Sequence, residues 1–486
     1  MPDPQDSDLT LPDSLIAHLS EGADDIITTS CAVVILKGKR AYKVKKSVDY
    51  GFLDFTSVEK RRKALLRELR YNQRMASDIY LGVEEIQGES VLVMRRFDTA
   101  GVLAEQSQTQ ADWTPDLGLM HDLGSTVAKF HAGSEICRDD EHEFNIKYVI
   151  DSNKKNIDVF RDELGAEAVD AYDVAIQAAY AELEDDVKRR FSEGYVRHCH
   201  GDLHLGNILI ENGKPVLFDC IEFNERLSQI DVLYDLGFLL MDLWVRGHED
   251  AANTVLNIYV ERASRLEDDI HSVYAGLKLL PLYMSVRAGV RCHVNANYGG
   301  TPNYAMEKAK VYLAAAHRFL DIKPAELIAV GGLSGSGKSS HSRRIAPETG
   351  RAPGALILRS DEMRKRLWAF PEFETLPKEA YTPAENERVY NHMFALARTA
   401  IQSGQSVILD ATFRNQARGR EARALAETSG VAFSALWMDV PADERLRRVL
   451  QRTNDVSDAT PDIAGSQTDP VLDDALWTLT PNPWRD

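Results

Sequence analysis

A chain of 486 residues, 44% hydrophobic and 27% charged, is long enough to bury more than one core. Its formal net charge of −18 argues against broad attraction to nucleic acid or to an anionic membrane, so no extended duplex binding is expected. Five cysteines (Cys31, Cys137, Cys199, Cys220 and Cys292) form no C-x-x-C pair, which suggests neither a zinc site nor a disulfide framework. The start, M-P-D-P-Q-D-S-D, lacks the basic and apolar regions of a signal peptide, and no apolar run is long enough to cross a bilayer. A cytoplasmic protein without a membrane partner is expected.

In chain order, Cys31 to Leu36 and Arg40 to Val44 read as a strand pair joined by the turn K-G-K. A helix follows from about Val58 to Met75, with Leu65, Leu66 and Leu69 as its apolar side. Val91 to Met94 reads as a buried strand, and Leu117 to His131 and much of 150 to 190 as helices. Helical patterning runs from Val232 to Leu320, and the segment D-I-K-P-A-E (Asp321 to Glu326) precedes the apolar strand L-I-A-V. The polar stretch Asn454 to Asp469 is the candidate mobile loop. The expected domains are therefore 1–323, with a small lobe at about 25–100 and a helical large lobe at about 101–323, and 324–486.

Two segments carry phosphate chemistry. The first, H-G-D-L-H-L-G-N-I-L-I, runs from His200 to Ile210 and is followed by V-L-F-D, ending at Asp219. A hydroxyl attacks ATP poorly unless a carboxylate takes or orients its proton, and magnesium must neutralise the phosphates. Asp202 can supply the carboxylate, while Asn207 and Asp219 flank a strand pair and can converge on magnesium. This segment resembles the catalytic region of the aminoglycoside phosphotransferase and choline kinase families, relatives of protein kinases. The resemblance implies an α+β bilobal domain with Asp202 as base and Asn207 and Asp219 as metal ligands. It also implies a strand lysine held by a helix glutamate, for which Lys43 (with Lys45 as the alternative) and Glu68 stand in place. Met94 to Phe97 would form the hinge against adenine. Asp235, in Y-D-L-G, is expected to be structural, as is His131. Protein kinases carry D-F-G where this chain has Asp219-Cys220-Ile221, and no G-x-G-x-x-G loop precedes the first strands.

The second segment, G-L-S-G-S-G-K-S, spans Gly332 to Ser339 and follows an apolar strand. Its glycines allow backbone N–H groups to wrap a phosphate at a helix N-terminus, with Lys338 on the phosphates and Ser339 on magnesium. Gly332, Ser334, Gly335, Ser336, Gly337, Lys338, Ser339 and Ser340 are the expected nucleotide contacts. Asp410 ends the strand S-V-I-L-D and is the expected second magnesium ligand. Asp361 and Arg364 lie three apart at a strand-to-helix junction and can share one helix face.

This half resembles the polynucleotide kinase, gluconate kinase and zeta toxin group of P-loop kinases, implying an α/β domain with a parallel sheet. On that resemblance Asp361 is the base, Arg364 anchors an acceptor phosphate, and Arg448 and Arg452 are lid arginines. Arg287 and Arg291, four apart in an apolar helix of the first half, are candidates for an anionic acceptor; internal salt bridges are the alternative.

The expected protein is a bifunctional ATP-dependent kinase, using ATP (GTP or another nucleoside triphosphate as alternatives) and Mg²⁺. Its acceptors are small molecules or, for the second half, a 5′-hydroxyl nucleic-acid end. An active P-loop kinase with a pseudokinase first half, and a P-loop NTPase switch, are the alternatives. Oligomeric state is not legible. Two unrelated signatures predict two nucleotide sites per chain. Calorimetry with magnesium and a non-hydrolysable ATP analogue should return two bound nucleotides, falling to one in Lys338→Ala; a single site in the native chain contradicts the prediction.

Overall fold

The apolar and β-branched residues of A-V-V-I-L-K and R-A-Y-K-V-K build the first sheet of the computed structural model. The structure describes residues 11–49, 53–109, 113–138, 146–222, 224–297, 302–451, 456–468 and 470–481. They pack as two compact units, one drawn from 1–114, 133–145 and 188–239, the other from 115–132, 146–187 and 240–486.

In the first unit, β1 (Asp25–Thr28), β2 (Ala32–Lys37), β3 (Arg40–Lys45), β4 (Tyr80–Ile86) and β5 (Glu89–Arg95) form an antiparallel sheet in the order β1-β2-β3-β5-β4. Gly38 takes φ +59 in the β2–β3 turn, a conformation open to glycine. Leu15, Val33, Ile35, Val44 and Val91 form a core on this sheet.

The helix Val58–Ala76 starts at Ser57, whose hydroxyl accepts the Lys60 N–H. Its buried face is Arg61, Ala64, Leu65, Glu68, Asn72 and Ala76, while Leu66 is exposed. Of the leucines expected on the apolar side, Leu65 is buried, Leu69 half-buried and Leu66 exposed, and the buried face also carries charge. Arg61 is buried against Glu89 and also donates to the Phe55 carbonyl at 2.8 Å.

Four short strands complete the unit: β6 (Val196–His198) pairs with β9 (Gln229–Asp231), and β7 (Ile208–Glu211) with β8 (Lys214–Leu217). The β7–β8 turn places Asn212 at φ +52 and Gly213 at φ +73, the mirror-image turn that matches strand twist. Beneath them, Arg190 Nε and Nη2 meet Asp231 at 2.5 and 2.8 Å, and the guanidinium stacks 4.0 Å above Tyr195.

In the second unit, β10 (Glu326–Gly331), β11 (Leu356–Arg359), β12 (Val407–Asp410), β13 (Ala432–Asp439) and β14 (Thr478–Pro481) form an all-parallel sheet ordered β11-β12-β10-β13-β14. Ile328, Val330, Ile408 and Met438 fill one face with Ala346 and Ala355. The same unit contains the helices Leu117–Ala132, Glu249–Leu266, Leu280–Ala296 and Pro302–Leu320. Within it His131 Nδ1 lies 2.9 Å from the Tyr259 hydroxyl in a buried pair.

Of the stretch Asn454 to Asp469, residues 456–468 are described. They hold a helix, Pro461–Ser466, and a pinned carboxylate: Asp458 accepts from Lys365 at 3.0 Å, the Tyr381 hydroxyl at 2.6 Å and the Leu376 N–H at 3.0 Å. Its composition suggested a mobile loop; these bonds tie it to the sheet's own unit. Among the described residues no helix is long and apolar enough to cross a membrane.

Asp231→Ala should remove the carboxylate that takes two bonds from the buried Arg190. A loss of about 3–5 kcal/mol is expected in chemical denaturation followed by Trp and Tyr fluorescence; an unchanged midpoint would show that the pair is dispensable.

Candidate functional site

Strand β3 directs Lys43 and Lys45 to the same face, because residues two apart on a strand point the same way. Both reach Glu68 on the facing helix. Lys43 Nζ lies 2.6 Å from Glu68 Oε1 and 3.1 Å from Asp219 Oδ1. Lys45 Nζ lies 2.9 Å from Glu68 Oε2 and bonds Glu222. Glu68 is fully buried. Burial pushes its carboxyl up, but Lys43 and Lys45 outweigh that and bring it down to about 2. Burial alone would lower the Lys43 ammonium, yet Asp219 and then Glu68 hold it well above the ordinary lysine value. In Glu222 burial wins and Lys45 offsets it in part, so that carboxyl stays above its usual range.

The difference between the two lysines is access. Lys43 bridges to Asp219, whose side chain is 47% exposed, whereas Lys45 is 1% exposed and locked between two carboxylates. Glu222 was not singled out from sequence; its only signal is an acid three residues after Asp219.

The loop between β6 and β7 brings Asp202 and Asn207 together. Asn207 Nδ2 donates to the Asp202 backbone carbonyl at 2.9 Å and to Oδ2 at 3.0 Å. His204 Nδ1 accepts the Gly206 N–H at 2.9 Å, which leaves Nε2 as the protonated nitrogen, 3.4 Å from Asp202 Oδ2. Asp235 accepts the N–H groups of His200 and Gly201 at 2.9 Å each, so it shapes the loop from behind.

His200 Nε2 donates to the Phe218 carbonyl at 2.9 Å; burial lowers its pKa and keeps the ring neutral. These bonds join the Asp202 loop to the Asp219 turn. Asp219 itself sits at φ +61, unusual for a residue with a side chain, and its N–H donates to the Tyr80 hydroxyl at 3.0 Å. The next N–H, of Cys220, is taken by Asn72 at 3.0 Å, from the Glu68 helix. Met94 is buried in β5, opposite Ala41 and Tyr80.

In the second unit the register does the positioning. Val330 of β10, Asp410 of β12 and Arg359 of β11 lie level across neighbouring strands. The chain then leaves the carboxyl ends as the Gly332–Ser339 loop, the Asp410 terminus and the helix Ser360–Leu367, side by side within roughly 10 Å. Gly332, Gly335 and Gly337 have φ of +143, +82 and +87, and a Cβ on Gly335 would strike the Arg445 carbonyl. Lys338 Nζ bonds the Leu333 carbonyl at 3.0 Å, across the loop. Ser339 and Ser340 follow it in the first turn of the helix Lys338–Ile345, and Ser336 is fully buried inside the loop. Gln467 bonds Ser334 from both ends of its amide, at 2.9 Å to the N–H and 3.1 Å to the hydroxyl.

Asp410 is buried, with Arg359 Nε 3.5 Å from Oδ2. Asp361 is half-buried in the first turn of its helix. Arg364 is buried one turn on: Nη1 donates to the Ala380 carbonyl at 2.6 Å, Nη2 to Asn386 at 2.7 Å, and the guanidinium lies 4.7 Å from the Tyr381 ring. These donors hold the segment 378–386, so Arg364 would have to exchange bonds to grip an acceptor phosphate. Arg448 pairs with Glu444 at 2.7 Å, one turn back on its own helix. Arg452 lies outside the described residues. Arg287 is buried in the helix Leu280–Ala296, and Arg291 lies 5.7 Å from the Tyr312 ring.

Residues 79–270 match the Phosphotransferase enzyme family, and residues 327–467 match an AAA domain. The chain is 29% identical over 458 residues to uncharacterized protein Rv2004c of Mycobacterium tuberculosis and, equally, to uncharacterized protein Mb2027c of Mycobacterium bovis; the match covers 91% of this chain and 89% of theirs. A match that long runs through both matched segments of this chain. Among solved structures the chain is similar to choline kinase from Cryptosporidium parvum Iowa II (11% identity, TM-score 0.40, covering 63% of this chain and 96% of that one). It is also similar to the APS kinase CysC of Mycobacterium tuberculosis (22% identity, TM-score 0.22, 26% of this chain and 70% of that one). A chain of the Pnkp1/Rnl/Hen1 complex is 21% identical at TM-score 0.22, covering 26% of this chain and 39% of its own.

The two strand lysines should separate in mutants. Lys45→Met takes the bonded lysine from the buried Glu222, leaves Glu68 with Lys43, and should cost about 3–5 kcal/mol in denaturation. Lys43→Met should cost less stability and weaken binding of a fluorescent ATP analogue to the first unit. The reverse pattern would exchange their roles.

Proposed function

Because the chain is a tandem of a Phosphotransferase enzyme family domain and a P-loop kinase domain, we propose that it is a bifunctional ATP-dependent phosphotransferase, each domain moving the γ-phosphoryl group to an acceptor hydroxyl. The observation that carries this reading is the Lys43 bridge between Glu68 and Asp219, beside the Asp202–Asn207 pair. A domain that only scaffolded would not need a charge-balanced lysine aimed at a half-exposed carboxylate, and one that only held a nucleotide would not need the Asp202 carboxylate beside it.

In the first domain Asp202 orients the acceptor hydroxyl and takes its proton as oxygen bonds to the γ-phosphorus and the bond to ADP breaks. His204 and Asn207 hold that carboxylate in place. Lys43 exchanges Asp219 for the nucleotide phosphates. Asn207 and Asp219 offer hard oxygen donors of the kind magnesium prefers, and so do Ser339 and Asp410 in the second domain. The ion would neutralise phosphate charge there.

In the second domain the glycine-bearing loop and Lys338 cradle the nucleotide, Asp361 is the base, and Arg448 and Arg452 close over the phosphates. Its acceptor is a small hydroxyl compound or a 5′-hydroxyl nucleic-acid end, with Arg364 as anchor once it releases Ala380 or Asn386. Arg287 and Arg291 are the proposed contacts for an anionic acceptor. The protein acts in the cytoplasm.

Mass spectrometry of metabolite and oligonucleotide pools incubated with ATP assigns the products. Asp202→Asn should abolish only one class of product and Asp361→Asn only the other, each by about 10²- to 10⁴-fold, with ATP binding nearly intact. Undiminished transfer in either variant removes that residue from its role.

A further inference from the structure

A parallel sheet leaves the backbone of its outer strand without a partner, and β11 is such a strand, with β12 on one side only. Its open edge is met by two asparagines one turn apart on the helix Glu249–Leu266, which lies outside the P-loop segment in sequence but in the same compact unit. Asn257 Oδ1 accepts the Ile357 N–H at 2.7 Å, and its Nδ2 donates to the Ala355 carbonyl at 3.1 Å. One side-chain amide thus satisfies one donor and one acceptor of the strand, as a neighbouring strand would. Asn253 Nδ2 donates to the carbonyls of Pro353 at 2.9 Å and Ala355 at 3.1 Å. The amides also bond each other, Asn257 Nδ2 to Asn253 Oδ1 at 3.0 Å.

The same helix continues along the element that β11 delivers. Glu261 faces Arg366 at 3.9 Å, and Arg262 pairs with Glu372. Arg366 is on the Asp361 helix, and Glu372 follows it. Arg359, which meets Asp410, comes two residues after Ile357, held by Asn257, and Asp361 two residues after that.

The geometry points to Asn257, seconded by Asn253, as a positioning residue for the P-loop reaction: a helix from the phosphotransferase half sets where the Asp361 helix begins. The inference rests on Asp361 being the base. An amide pair is suited to the task because it fixes the strand along its length as well as toward the helix, which apolar packing alone does not. Displacement of a reacting group by about 1 Å can cost on the order of a hundredfold in rate.

The test uses the full chain with Asn257→Leu, of similar size but without hydrogen bonds, and Asn257→Asp, which keeps the acceptor for Ile357 and loses the donor to Ala355. Hydrogen–deuterium exchange of residues 356–367, affinity for a fluorescent ATP analogue, and transfer from ATP to a 5′-hydroxyl oligodeoxynucleotide are measured in parallel with Asp361→Asn. Asn257→Leu should speed exchange across 356–367 at least tenfold and lower kcat about tenfold to a hundredfold, with KM for ATP and analogue affinity within twofold. Asn257→Asp should retain slow exchange at Ile357 and most of the rate. Native exchange in Asn257→Leu overturns the proposal whether or not the oligonucleotide is accepted; if that variant loses protection globally, Asn257→Asp decides, and fast exchange at Ile357 joined to native kcat there overturns it. A fully active Asp361→Asn beside altered exchange in Asn257→Leu instead overturns the base assignment alone.

Discussion

Glu68 has no contact with solvent, and an ionised carboxylate there is tolerated only if cations surround it. Two lysines do so from one strand, and each is held differently on its other side. Lys45 turns to the buried Glu222, and Lys43 to the half-exposed Asp219. Glu68 therefore keeps one permanent counter-ion when the other turns toward a phosphate. The helix carrying Glu68 also supplies Asn72 to the turn after Asp219, and β4 supplies the Tyr80 hydroxyl to Asp219 itself. Charge balance and the unusual backbone at Asp219 are thus maintained by the same few elements.

The second unit solves a different problem. A parallel sheet places all its carboxyl ends on one side, which gathers loop, acid and helix start by strand register. Its cost is an open edge. The Asn253–Asn257 pair closes that edge with side-chain amides, and Arg351 adds a bond to the Leu277 carbonyl at 2.8 Å. The helix Glu249–Leu266 consequently belongs to the packing of this sheet, although the sequence changes character near residue 323.

Arg364 illustrates how a motif residue can be committed elsewhere. Three residues after Asp361, it is in place to share a helix face with it, yet its donors are on Ala380 and Asn386 and its plane is against Tyr381. Tyr381 in turn is fixed through its hydroxyl to Asp458, and burial and that carboxylate push its pKa well up, so it donates throughout the physiological range. The wall beside Asp361 is a chain of such bonds.

The sequence by itself determined what depends on neighbouring residues. The Gly332–Ser339 loop, the Asn212–Gly213 turn that separates Asn207 from Asp219, and the strand-to-helix step at Asp361 all arise from local backbone preferences, which a short string of residues specifies. It also put Lys43 and Glu68 forward, 25 residues apart, and their side chains meet. Only the tertiary structure decided the rest. Whether Lys43 or Lys45 faces an accessible carboxylate depends on Asp219 and Glu222, 176 and 177 residues away. That Glu68 and Arg61 occupy the buried helix face, where Leu66 was expected, follows from the partners they find there. The bond from Ile357 to Asn257 spans 100 residues and leaves no local mark, because an exposed-looking asparagine on a helix becomes a strand's partner only when the sheet edge arrives beside it.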